Sequence, residues 1–125
     1  MLNPTLTKAY SPGAAVAAYR IVKFSADGTV IQAAAVTDKS IGVSTALAAA
    51  STDTRVDVIR QGIAEVTYGG TVAVGDLLTS DADGKAVAAA PAAGVNNRII
   101  GIAEVAGVTG DVGSMLISPG SVQGA

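Results

Sequence analysis

A segment that recurs in order within one chain constrains the fold more than any isolated motif, because each copy must form the same unit and find the same partners. Here Pro12-Gly13-Ala14-Ala15-Val16-Ala17-Ala18-Tyr19-Arg20-Ile21-Val22 is echoed by Tyr68-Gly69-Gly70-Thr71-Val72-Ala73-Val74-Gly75-Asp76-Leu77-Leu78. The same offset pairs Ala26-Asp27-Gly28 with Ala82-Asp83-Gly84, and after a short insertion Ser40-Ile41-Gly42-Val43 matches Ile99-Ile100-Gly101-Ile102. Thr52 to Gly62 then runs beside Gly110 to Gly120, each stretch enclosing a short apolar segment. The shared order predicts a duplicated unit with halves at residues 12–62 and 68–120, related by a pseudo-two-fold.

Each half reads as β structure: short runs rich in Val and Ile, punctuated by Gly, Asp and Ser. Asp27-Gly28 lies between Ile21-Val22-Lys23-Phe24 and Thr29-Val30-Ile31, a strong hairpin signal because both turn residues tolerate positive φ, and Asp83-Gly84 repeats it. Gly42 and Gly101 interrupt β-branched neighbours, which predicts a bulge or a close backbone approach at a curved sheet. Thr45 to Ala50 has high helix propensity, but its counterpart Glu104 to Gly110 is broken by Gly, so a loop is expected at both places. The fold class that follows is all-β: a small barrel or sandwich of two pseudo-symmetric repeats with an extended N-terminal arm.

The expected organisation is an arm over residues 1–11, one β domain over 12–120 and a flexible tail over 121–125. The arm carries Leu2, Leu6 and Tyr10 among polar residues. It reads either as a frayed terminus or as a segment that orders on a neighbouring subunit or another protein surface, with those three side chains as the contacts.

Half of the 125 residues are apolar but only 3% are aromatic, so the core must be built from Ala, Val, Ile and Leu. Each of these buries less area than a ring, and burial against a partner would add to a thin core. A net charge of −2 favours neither nucleic acid nor an anionic membrane. Met1 to Tyr10 has no export-signal pattern, and no uncharged stretch reaches the ~20 residues of a spanning helix, so a soluble chain is expected.

The chain has no Cys and no His, which removes thiol chemistry and the commonest general base and metal ligand. Asp81-Ala82-Asp83-Gly84 resembles the start of a calcium loop, yet Ala86 and Ala92 stand where Gly and Glu belong, and the sister turn has Ser25 in place of Asp81. It reads as a hairpin. Gly107, Gly110 and Gly113 read as a loop because no helix follows to present its N-terminus to phosphate. Asp53 and Asp57 could pair for acid/base work, but Asp57 alternates with Val56 and Val58 as on the wet face of a strand. Lys8, Lys23, Lys39 and Lys85 lie in polar or turn contexts, and Arg55, Arg60 and Arg98 read as surface charge, with interface carboxylates as their alternative partners. No enzyme, metal or cofactor is expected.

Taken in order, Tyr19-Arg20-Ile21-Val22, Asp27-Gly28, Ser40-Ile41-Gly42-Val43, Val56-Asp57-Val58, Gly62-Ile63-Ala64-Glu65-Val66, Val74-Gly75-Asp76-Leu77-Leu78, Asp83-Gly84-Lys85 and Ile100-Gly101-Ile102-Ala103 resemble the capsid decoration, or cement, proteins of tailed phages. The resemblance spans about residues 12–118 and carries no catalytic motif. It implies a homotrimer made in the host cytoplasm that binds the major capsid protein on the outer surface of the virion and reinforces the shell against packaged DNA. An alternative of another class is a barrel-sandwich carrier domain, which would be modified at Lys85 beside the Asp83-Gly84 turn.

Overall fold

The computed structural model describes residues 2–49, 51, 52 and 54–125. Among these there is no helix. Nine strands follow one another: β1 (Asn3–Pro12), β2 (Ile21–Ala26), β3 (Thr29–Gln32), β4 (Ser40–Ser44), β5 (Val56–Thr67), β6 (Leu77–Ser80), β7 (Ala86–Ala88), β8 (Asn96–Ala103) and β9 (Val112–Gln123). They form one mixed sheet in the order β1-β3-β2-β4-β5-β9-β8-β6-β7, with β1 also paired to β5. The order β3-β2-β4-β5 therefore recurs as β7-β6-β8-β9.

The long strand β5 serves both units. Its first half closes a ring with β1, where Tyr10 faces Val56 and Thr7 faces Ile59. Its second half pairs with β9 in the same register, Val66 facing Gly113 and Ile63 facing Leu116. Each ring is then shut by a parallel bridge, Pro12 to Val30 in the first and Tyr68 to Ala86 in the second. The N-terminal segment is extended, as expected, but it is not an arm outside the repeats. It occupies in unit one the place that the second half of β5 occupies in unit two, and β1 runs through the expected boundary at residue 12. The tail expected to be flexible continues β9 to Gln123, and Gly124 bridges Ala93.

Local chemistry explains the curvature. Gly42 and Gly101 hold equivalent places beside β5 and β9, and a Cβ there would overlap the carbonyl oxygen of Ile59 or of Leu116. Register shifts lie between Val22 and Lys23 opposite Gly42, and between Ile99 and Gly101. Asp27-Gly28 makes the tight β2–β3 turn. Residues 45–48 form an irregular loop, without the helix their propensity permits.

One core lies inside unit one: Tyr10, Val16, Val22, Val30, Ala49, Val56 and Val58, with Ile41 packed against them. A larger core fills unit two around Tyr68, Val66, Leu78, Ile100 and Met115, and it includes Ile21, Ala33, Val43 and Ile59 from unit one. Several backbone hydrogen bonds join the units, among them Arg98 N–H to the Val36 carbonyl (2.7 Å) and Thr67 N–H to the Tyr19 carbonyl (3.0 Å), but the two Asp-Gly turns are used unequally. The Asp83-Gly84 turn docks on unit one, where the Ile21 N–H donates to the Gly84 carbonyl (2.7 Å) and Gln32 Nε2 donates to the Asp83 carbonyl (3.2 Å). Among the described residues the Asp27-Gly28 turn makes no hydrogen bond to unit two; its Gly28 carbonyl accepts from Ser11 of its own unit (3.2 Å). The docking of this turn is therefore head to tail: unit two supplies the turn and unit one receives it.

Candidate functional site

The side chains expected to make contacts separate on folding. Leu2, just before β1, and Leu6 on β1 are 50% and 47% exposed, whereas Tyr10 is 5% exposed and belongs to the core of unit one. Tyr10 therefore has almost no surface to offer a capsid or another subunit. Arg60 Nη1 donates to its hydroxyl (2.6 Å), the Phe24 ring meets it edge-on at 5.6 Å, and the Lys8 ammonium stands 5.2 Å from its ring centroid. Two register shifts, between Pro4 and Leu6 and between Leu6 and Thr7, separate the outward Leu6 from the inward Tyr10.

Leu2 borders a small recess with Tyr19, Thr45, Ala46, Ile59 and Glu65, whose free volume of about 40 Å³ suits a water or two and no larger ligand. Tyr19 is the one non-Gly residue with positive φ among the described residues, at 58°. Sequence reading missed it, although a signal was present, since Tyr19 aligns with Gly75 in the repeat.

Four of the ten carboxylates hold turns together. Asp81 Oδ1 accepts the N–H groups of Asp83 (2.8 Å) and Lys85 (2.9 Å), which is what Asp rather than Ser achieves at this turn. Asp76 accepts from Ala73 and Asp111 from Val108, both at 2.9 Å. Asp38 accepts from Ala34 (2.7 Å) and Ala35 (3.0 Å) and pairs with Lys23 at 2.9 Å. Burial pushes the Asp38 carboxyl up, but those N–H groups and the Lys23 charge outweigh it and hold the group below its ordinary value. Asp53, half of the expected carboxylate pair, lies outside the described residues; Asp57 is half-buried on β5. No cluster of three or more acidic side chains with metal-binding geometry occurs among the described residues.

Lys85 is not at a free hairpin tip, because its turn is docked on Ile21 and Gln32 of unit one. Lys85 itself is half-buried. Arg60 is committed to Tyr10 and, through Nε, to the Ile41 carbonyl (3.1 Å), while Arg55 and Arg98 are exposed. Tyr68 donates its hydroxyl to the Val105 carbonyl (2.7 Å) with its ring against Gly107 and Gly113, so two of the three spaced glycines make room for an aromatic side chain. Burial, and secondarily the charge of Asp76, raises the Tyr68 phenol above its usual pKa and keeps it a neutral donor.

What remains available is surface, and its exposed apolar side chains include Leu2, Leu6, Phe24 and Leu47 on unit one and Val74, Val112 and Leu116 on unit two. This arrangement can bind a protein face, and the described residues assemble no group of reactive side chains. The same architecture is found in a phage head protein. The N base of head fiber gp8.5 in bacteriophage phi29 matches with a TM-score of 0.69 and 24% identity, over 90% of this chain and 93% of that one. The likeness establishes a shared fold. No protein-family model and no curated protein matches the sequence.

Proposed function

We propose that this chain is a structural protein of a tailed-phage head that decorates the outer capsid surface and stabilises the shell. The observation that carries the reading is the shared fold, across about nine-tenths of both chains, with the base of a phage head fiber. The turn-and-strand motifs that resemble cement proteins support it independently, as does the commitment of Asp38, Asp76, Asp81 and Asp111 to turns. In this reading the partner is the major capsid protein, the protein is made in the host cytoplasm, and three copies sit together at a three-fold site.

Leu6 on β1 and Leu2 just before the strand, both exposed, are the capsid contacts, with Tyr19 beside Leu2. Deleting the segment is not a clean test, because β1 closes the ring of unit one and supplies Tyr10 to its core. Point changes are. Undecorated heads of the phage that encodes the chain, mixed with purified protein and pelleted, should carry it at saturating occupancy. Leu2→Asp and Leu6→Asp should keep the wild-type melting profile and reduce occupancy at least about tenfold, the equivalent of ~1.4 kcal/mol. A wild-type chain that never pellets with such heads overturns the function; unchanged occupancy by both variants overturns the contact.

A further inference from the structure

The repeat supplies an internal comparison between a covered face and an open one. In unit one, Ile59, Val43 and Ile21 lie side by side on β5, β4 and β2 as direct cross-strand partners. All three are buried, and with Ala33 they enter the core of unit two. In unit two the same three places are held by Leu116, Ile102 and Leu77 on β9, β8 and β6, again direct partners. Ile63 of β5 faces Leu116 and extends that row. Here the row is open: Leu116 is 41% exposed, and Ile63, Ile102 and Leu77 are half-buried.

The backbone repeats the comparison. The Ile21 carbonyl accepts the Ala33 N–H (2.8 Å) as the Leu77 carbonyl accepts the Ala89 N–H (2.7 Å). The Ile21 N–H is then capped by Gly84 of the docked turn, whereas among the described residues no backbone carbonyl outside the strands meets the Leu77 N–H. The complementary half of the contact is also unused. Ser80 and Gly84 at the docked turn are buried, but their counterparts Phe24 and Gly28 at the unit-one turn are exposed, Phe24 by 45%.

A head-to-tail relation that is satisfied once inside the chain thus leaves one donor end and one acceptor end on its surface. We infer that a second copy of this chain docks its β2–β3 turn, Phe24 to Thr29, on the Leu77–Ile102–Leu116 row of unit two, repeating between chains the contact that joins the units within one. Such a contact is heterologous, and it closes into a ring only if its rotation permits. The inference gives the proposed oligomer its surfaces and rests on that reading only for the number of copies; it does not require capsid binding.

The test is the mass in solution of the wild-type chain and of variants that each remove one end. Leu116→Lys charges the acceptor row and Leu116→Ser is a milder version of it; Ala26→Arg places bulk at the exposed donor turn. Circular dichroism and melting identify the folded variants, and Leu116→Ser serves if the lysine variant does not fold. Wild-type protein should self-associate in a concentration-dependent way, and each variant alone should lose at least about tenfold in association constant. Mixing a Leu116 variant with Ala26→Arg leaves one intact donor and one intact acceptor, so the mixture should yield a heterodimer and nothing larger. A wild-type chain that is monomeric throughout overturns the inference, as does an oligomer indifferent to the Leu116 variants or a mixture without heterodimer. A monomer that nevertheless decorates heads would overturn it while leaving the capsid reading intact.

Discussion

Tyr19 and Gly75 occupy the same place in the two units and share a left-handed backbone, with φ of 58° and 87°. Gly adopts that conformation without steric cost, whereas a side chain with a Cβ costs roughly 1–2 kcal/mol there. Strain of this kind persists where something other than stability retains it. Tyr19 lies beside Leu2 on the face assigned to the capsid. Tyr19→Gly is expected to leave the melting temperature unchanged or raise it, while lowering occupancy on heads. A variant that melts several degrees lower and decorates normally would make Tyr19 a packing residue instead.

Gly42 and Gly101 make the corresponding argument for the fold. A methyl at either position would overlap a backbone carbonyl of the neighbouring strand, and a backbone cannot step aside as a flexible side chain does. Gly101→Ala and Gly42→Ala should each destabilise by about 1–3 kcal/mol through forced strand separation. Gly70→Ala is the control, since its Cβ would meet only a Val87 methyl at 3.7 Å. Chemical denaturation of the three variants checks the ranking, and equal midpoints would contradict it.

These glycines and the Asp-Gly turns were legible in the sequence because their chemistry is local: a tight turn or a close approach selects its residue type wherever the chain goes next. The role of β1 was not. Thr7 and Ile63 share a register position but not polarity, and Tyr10 and Val66 share a position and burial but not shape, so that part of the repeat shows mainly in backbone pairing. Strict alternation would put Leu2, Leu6 and Tyr10 on one face, and the bulges around Leu6 undo it. Lys85 looked like a hairpin tip because the sequence cannot reveal which of two similar turns is covered by the other unit.

Acid should expose the role of Asp38. Its carboxyl lies below the unfolded value of 3.8 in the folded chain, so its contribution is complete above that value and is lost as pH falls through the lower, folded one. At neutral pH, Asp38→Asn should be less stable than wild type by about 1 kcal/mol, the scale of a hydrogen bond to a charged group that is partly replaced. The gap should close as the pH is lowered below about 4. Denaturation midpoints of the two proteins across that range check it, and a gap independent of pH would assign the loss to packing.

The shared core predicts how the molecule comes apart. Ile21, Ala33, Val43 and Ile59 are contributed by unit one but buried with Tyr68, Val66 and Met115 of unit two, and β5 belongs to both rings. Removing unit two would expose those four side chains together, at a cost of roughly 1.5–3 kcal/mol for each of the larger three. That is comparable with the whole stability of a small domain. The chain should therefore unfold in one transition, with calorimetric and van't Hoff enthalpies in agreement. A fragment ending at Thr67 keeps β1 and every strand of the first ring, yet it should not fold at low concentration. Two resolved heat-absorption peaks, or a fragment with a cooperative melt of its own, would show that each ring is stable alone and that the face around Ile21 and Val43 tolerates water.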